Sequence, residues 1–271
     1  SRREIFLTGL GIVSSLTHLA MANIDSSFED ESGKGRDVEA DEPLSTIDDQ
    51  LERIGVSNYH YVVIGTLVLF IVTDGMELLL SNIVYRAMPR TLWGMTKEDR
   101  ANLISTAYLG FVIGSFFGGN FADRYGRKPL IYFHSFIFLP SAIWSACAQD
   151  LATVYITRAL IGFSMGIALP TCVTLMAELS PPSNRGWMVL MLPGLAFLAG
   201  QLLIIFVGIA AMHDNAQCAE NCGWWRYMFA AGVVPDVLGL LLLAAFVPES
   251  PRYYLAHGRV NDAEAVVRSI A

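Results

Sequence analysis

The chain has 271 residues, 54% of them hydrophobic and only 16% charged, against roughly 25% charged in an average soluble domain. Its net charge is −7, much of it between Asp25 and Asp49, and no basic stripe with interleaved aromatics appears, so no nucleic-acid partner is expected. Four cysteines are too few for a disulfide framework, and no metal-ligand cluster, nucleophile motif or phosphate loop is present, so neither an enzyme nor a cofactor is expected.

The chain opens at Ser1 without a methionine, which reads as a fragment or a processed chain. Residues 5–24 are apolar and follow Arg2 and Arg3, a pattern with a signal or anchor flavour. They are read as an interfacial or disordered leader; a seventh span there is the alternative and strains the charge bias given below. Residues 25–44 read as a disordered acidic segment, which closes a first region over 1–44. Ser45-Thr46-Ile47-Asp48-Asp49 has capping-box spacing. Ile47, Leu51 and Ile54 then recur at i, i+4 and i+7, so residues 45–60 are expected to hold a short amphipathic helix lying against a membrane.

From Tyr61 onward, apolar runs alternate with short charged loops. Six candidate spans fall near 61–80, 101–122, 130–148, 152–177, 187–212 and 227–247, each long enough to cross ~30 Å of hydrocarbon at ~1.5 Å per residue. They form one unit over 61–248, and 249–271 reads as a cytosolic tail or the start of intracellular helices. The loops after the second and fourth spans and the tail carry Arg124, Arg127, Lys128, Arg185, Arg252, Arg259 and Arg268. The opposite loops carry Arg86, Arg90, Lys97, Arg100 and Arg226. This bias favours both termini in the cytosol. Cys218 and Cys222 share one polar loop, where a small disulfide would form if that loop faces an oxidising side. Trp224, Trp225 and Tyr227 read as an interfacial aromatic belt.

Ionisable residues at membrane depth are costly, so they should face a cavity and find partners. Asp74 and Glu77 lie one turn apart in the first span and share a face that Ser81 extends. Arg158 lies in the fourth span. Asp74 and Arg158 are each about six residues, or ~9 Å, from the same end, so Asp74 or Glu77 is expected to pair with Arg158. A cationic solute or a coupling proton would compete for these carboxylates, since desolvation disfavours a carboxylate; a static ion pair is the plainer alternative. Asp236, after Pro235, is either functional or structural. Gln201, Thr171 and Thr174 are further cavity candidates. Gly110, Gly114 and Gly118 repeat every four residues, as do Gly162 and Gly166, a spacing that lets helices pack closely.

The stretch GGNFADRYGRKPL, Gly118 to Leu130, sits between the second and third spans. It resembles the signature G-x-x-x-D-R-x-G-R-K of the major facilitator superfamily, filled by Gly119, Asp123, Arg124, Gly126, Arg127 and Lys128. Leu160 to Arg185 is similar to the sugar-porter signature, with Gly162, Gly166, Glu178 and Arg185 in place, and PESPR at 248–252 resembles the motif ending the sixth span of sugar-porter-like proteins. TIDDQLERIGVSNYHY and TDGMELLLSNI are similar to the synaptic-vesicle-two-related branch.

The resemblance implies an all-α membrane fold: a six-transmembrane-helix bundle of two inverted three-helix repeats, the N-terminal half of a transporter whose first and fourth helices line a central cavity. It implies that Asp123, an acid at a helix C-terminus, latches a gate against Arg127 or a helix of a second half. It implies a conformational charge network pairing Glu178 with Arg185 and Glu249 with Arg252. The expected partners are the lipid bilayer, a small-molecule substrate, and a missing C-terminal six-span half or a second chain. The expected function is secondary active transport of a small organic solute, an organic ion with proton coupling among the options. The alternative is a non-transporting binding protein of the vesicle type. Neither the substrate nor the host membrane, plasma or vesicular, follows from the motifs.

Overall fold

The computed structural model describes residues 47–87, 96–214 and 224–270. The leader and acidic segment expected over 1–44, and the Cys218–Cys222 pair, lie outside them. The described residues are helical throughout, with no strand among them: α1 (Ile47–Ile54), α2 (Asn58–Ala87), α3 (Lys97–Tyr125), α4 (Arg127–Ala146), α5 (Leu151–Leu179), α6 (Pro182–Asp214), α7 (Trp224–Ala231), α8 (Val233–Phe246), α9 (Pro251–Ala256) and α10 (Val260–Ile270). Among the described residues, six stretches are long and apolar enough to cross a membrane: α2 to α6 supply one each, and α7 with α8 the sixth.

Helix ends follow local chemistry. Thr96 caps α3 through a reciprocal capping box with Asp99, and Asp150 caps α5 by accepting the Thr153 N–H, each satisfying amides that the first turn leaves unpaired. The turn from α3 to α4 is the single residue Gly126, at φ +100° and ψ 164°, a region open essentially only to glycine. The sixth span is not the one helix that apolar length suggests. It breaks at Gly232. Pro235 has no N–H to give Ala231, four residues back, and its ring clashes with that carbonyl.

The packing repeats itself under the exchange of the first three spans with the last three. The second span packs most extensively on the fourth (α3 on α5), and the fifth packs on the first (α6 on α2). The third packs on the fourth (α4 on α5), and the sixth packs on the first (α8 on α2). This is the inverted-repeat arrangement. Glycines set the closest approaches in both related pairs. Gly110 and Gly114 lie against the backbone of Ala159 and Phe163, and Gly162 and Gly166 against that of Ala107 and Phe111. Gly75 against Phe197 and Gly200 against Val72 do the same between α2 and α6. At each, a Cβ would meet the neighbouring backbone. Gly118 is looser, a Cβ there coming 3.1 Å from Ile167 Cα.

The first and fourth spans are the most buried of the six, and the second and fifth the least. Phe116, Phe136, Leu190, Phe206 and Leu241 project outward, the expected face toward lipid. The amphipathic α1 lays Leu51 into the core with Ile47 and Ile54 beside it, on the stripe that the sequence spacing defines. Trp225 departs from the expected aromatic belt: it is buried and packs edge-on against Phe229, while Tyr227 stays exposed.

Overpacking a close helix contact costs about 1–3 kcal/mol, so Gly162→Ala and Gly200→Ala should each lower the thermal midpoint of the purified protein. Gly119→Ala should leave it unchanged or raise it, because a Cβ there meets nothing within 4 Å. Scanning fluorimetry in one detergent compares all three.

Candidate functional site

The only fixed cation deep in the bundle, among the described residues, is Arg158, 1% exposed on α5. Its guanidinium is held from three helices. Nη1 donates to Glu77 Oε2 at 2.8 Å and to Ser81 Oγ at 3.1 Å, both on α2. Nη2 donates to Ser145 Oγ on α4 at 3.1 Å. The Phe229 ring of α7 lies under the guanidinium, 4.7 Å from its carbon to the centroid. Glu77 and Ser81 reach one cation because they lie one helical turn apart. Of the two expected carboxylates, Glu77 makes the pair and Asp74 does not. The second oxygen of Glu77 has no hydrogen-bond partner and lies over Gly232 at the broken sixth span.

One cavity adjoins this pair, and a second shares part of its wall. One, of about 50 Å³, is lined by Glu77, Ser81, Tyr108, Arg158 and Gly162 among others. The second, of about 120 Å³, is lined by Asp74, Leu78, Tyr108, Phe111, Met165 and Phe197 among others. Both open between the first, second and fourth spans, and the fifth joins at the second cavity. Gln201, expected to contribute, lines neither. The glycine spacing on α6 turns Gly200 toward α2, which leaves the next residue on another face of the helix.

A second buried polar group lies on α2, α4 and α8. His134 is fully buried. Its Nδ1 faces the Ser164 carbonyl oxygen at 3.0 Å and its Nε2 faces Asp236 Oδ1 at 3.2 Å. The ring stacks on Phe138 at 5.5 Å and meets the edge of Phe70 at 6.1 Å. Asp74, 1% exposed, has neither oxygen hydrogen-bonded. Sequence reading singles out Asp236 but misses His134. The available signal was a histidine inside an apolar run, seven residues past a charged loop.

At the end of the bundle that carries the α3–α4 turn, the charges pair differently from the expected network. Glu178 does not meet Arg185. It accepts from Arg127 Nη2 at 3.0 Å, and the same nitrogen donates to Asp123 at 3.0 Å. Asp123 therefore finds the donor expected from its own loop, although it remains 79% exposed. Glu249 does not meet Arg252. It caps α4, accepting the backbone N–H of Arg127 at 2.9 Å and of Lys128 at 3.1 Å. A helix N-terminus with unpaired amides offers more to a carboxylate than a mobile side chain does.

Arg185 and Arg252 are left to Asp48 of α1, at 2.6 and 2.7 Å. Glu52 of α1 also accepts the Ser183 N–H at 3.1 Å. Arg124 places its guanidinium 5.6 Å over Tyr125. Gly119 faces open space, so steric need at this position does not explain the signature glycine.

The hydrogen bond from Arg185, opposed by desolvation and aided by Arg252, holds the Asp48 carboxyl below its ordinary value of 3.8. A depressed carboxyl contributes stability above its ordinary value and loses it as pH falls through the folded value. A spin label on Arg53→Cys should therefore become mobile only in acid below that ordinary value, and Asp48→Asn should make it mobile at neutral pH.

Breaking a buried ion pair from one side costs about 3–5 kcal/mol. Arginine cannot neutralise itself, whereas a glutamate takes up a proton. Glu77→Ala should therefore destabilise more than Arg158→Ala, and the double variant less than the sum of the two. Thermal melts of the three variants measure this cycle.

Residues 55–271 match the family described as sugar (and other) transporter. The arabinose-proton symporter of Bacillus subtilis (strain 168) is 33% identical over 182 residues, covering 67% of this chain and 39% of the symporter. The niacin transporter NiaP of Acinetobacter baylyi is 26% identical over 226 residues, 82% of this chain and 48% of the transporter. Among solved structures, the major facilitator superfamily proton:xylose symporter XylE, bound to 6-bromo-6-deoxy-D-glucose, superposes with a TM-score of 0.69 at 25% identity. It covers 78% of this chain and 50% of XylE. The chain thus spans half or less of each of these proteins. Its six described spans form one half of that superfamily's fold, and the chain, a multi-pass membrane protein, belongs to the sugar (and other) transporter family.

Proposed function

We propose that this chain is the N-terminal half of a secondary active transporter that moves a small organic solute by alternating access. The carrying observation is the buried Glu77–Arg158 pair beside cavities that open between the first, second and fourth spans. A fixed guanidinium balanced by a carboxylate gives a site with two states. When the carboxylate is charged, the pair is closed. When it is protonated, the attraction falls and the Arg158 guanidinium can turn part of its hydrogen bonding to a solute oxygen.

A difference of a few kcal/mol between states is enough to shift a rocking equilibrium. Proton coupling fits the relatives, whose names specify proton symport for arabinose and xylose. The substrate class is accordingly a neutral sugar or a small organic ion, with niacin the organic-ion example. The acids of the first span, Asp74 and Glu77, favour a cationic solute or proton coupling.

The path would be closed by a second six-span half, in the same chain or another. The Asp123–Arg127–Glu178 cluster and the Glu249 cap would act as contacts that form in one state and part in another. An exposed pair such as Arg127–Asp123 is worth only ~0–1 kcal/mol, so the network biases the equilibrium and does not lock it. The bias of Lys and Arg toward these loops supports a cytosolic position for this end and for both termini.

In proteoliposomes of the full-length protein, an imposed proton gradient should drive accumulation of at least one of D-xylose, L-arabinose, D-galactose and niacin. Glu77→Gln should abolish accumulation while leaving exchange across the membrane. Accumulation that is unchanged in Glu77→Gln removes the coupling role.

A further inference from the structure

Four residues, Leu78, Tyr108, Phe111 and Met165, line both cavities. They make one largely apolar wall that runs between two charged groups. In the first cavity the group is Arg158, held by Glu77 and Ser81. In the second it is Asp74, buried, with a donor on neither oxygen. Asp74 and Glu77 are three residues apart on α2, about 4.5 Å of rise, so the two groups are separated by roughly the width of a ring. The second cavity, of about 120 Å³, is completed by Leu169 and Phe197. It is close to ring-sized itself, since an apolar cavity of roughly 150 Å³ takes benzene.

A bound solute has to answer both groups. A buried carboxylate without a donor is costly, and so is a buried guanidinium whose own carboxylate has let go. A sugar brings no charge, and hydroxyls laid against Leu78, Phe111, Met165, Leu169 and Phe197 find no partner there. An organic anion answers Arg158 and leaves Asp74 without a donor. An organic cation answers Asp74 and gives nothing to Arg158 once Glu77 is neutral. A solute with both charges answers both. Its carboxylate replaces that of Glu77 and suits the paired N–H donors of a guanidinium, and its nitrogen donates to Asp74.

We propose that the solute is a compact zwitterion, with a carboxylate and a protonated nitrogen at opposite ends of an apolar or aromatic body. The carboxylate lies on Arg158 and Ser81, the nitrogen on Asp74, and the body against Leu78, Tyr108, Phe111 and Met165. The two acids of the first span then have different duties. Glu77 yields the guanidinium to the solute, and Asp74 selects for a nitrogen. Tyr108 and Phe111 set the thickness of the body that fits between them and α2. Movement of such a solute rests on the proposed transport function; its binding does not.

Microscale thermophoresis of the full-length protein near neutral pH tests this with 3- and 4-(aminomethyl)benzoate, which carry both charges across one ring. On the same ring, 4-methylbenzoate and 4-methylbenzylamine each carry one of the two charges, and D-xylose carries none. At least one aminomethylbenzoate should bind about tenfold or more tighter than either single-charge compound, and D-xylose should bind weakest. Asp74→Asn should bring the zwitterion down to the affinity of 4-methylbenzoate, whose own unchanged binding shows that the variant is folded. Asp74→Glu should keep part of the preference. A single-charge compound or D-xylose that binds as tightly as both zwitterions overturns the proposal, and so does a zwitterion preference that survives Asp74→Asn. Zwitterion binding without uptake in proteoliposomes removes the transport function and leaves the site. Proton-driven uptake of D-xylose with no zwitterion binding removes the site and leaves transport.

Discussion

Everything near the centre of this bundle is arranged around one guanidinium that cannot be neutralised. Arg158 is fully enclosed, and its charge has to be answered wherever the helices settle. The answer comes from Glu77 and Ser81 on the first span, Ser145 on the third and the Phe229 ring on the sixth. Three spans are therefore registered against one side chain of the fourth. The pair is weak evidence of stability for its own sake, because desolvation offsets much of the attraction. It is strong evidence of a fixed geometry, since a shift of any of these helices would leave a charge unanswered.

Close helix approach makes that geometry attainable. In lipid, helices gain little from apolar burial against one another, and small residues allow backbone contact in its place. The glycines of α3 and α5 and those of α2 and α6 serve related positions of an internal two-fold, so both halves of the repeat close by the same means. The charged end follows a similar economy. Glu249 satisfies the open amides of α4, Glu178 turns to Arg127, and one aspartate on α1 gathers the two arginines that remain.

The six spans, their order and the amphipathic stripe of α1 are legible in the sequence because each depends on local length and period. The family motifs are legible for the same reason. Asp74, Glu77 and Arg158 stand out as ionisable residues at membrane depth, and depth alone brings the first and fourth spans level. The choice between Asp74 and Glu77 is not legible. They are one turn apart, and only the rotation of α2 against α5 gives Glu77 the arginine. Glu178 and Arg185 suggest a pair by proximity in the motif, yet a carboxylate chooses among all donors in reach, including amides that no motif displays.

The sequence by itself determined a membrane-spanning six-helix chain, the place of its turns and the residues too polar for their depth, because these follow from hydropathy, period and the capping needs of single helices. The tertiary structure decided which charges meet. It paired Glu77 with Arg158, set His134 between Ser164 and Asp236, broke the sixth span beside Glu77 and left Asp74 facing a cavity alone. Those outcomes depend on helix rotations and approaches of an ångström or two, which are fixed by packing between segments far apart in the chain.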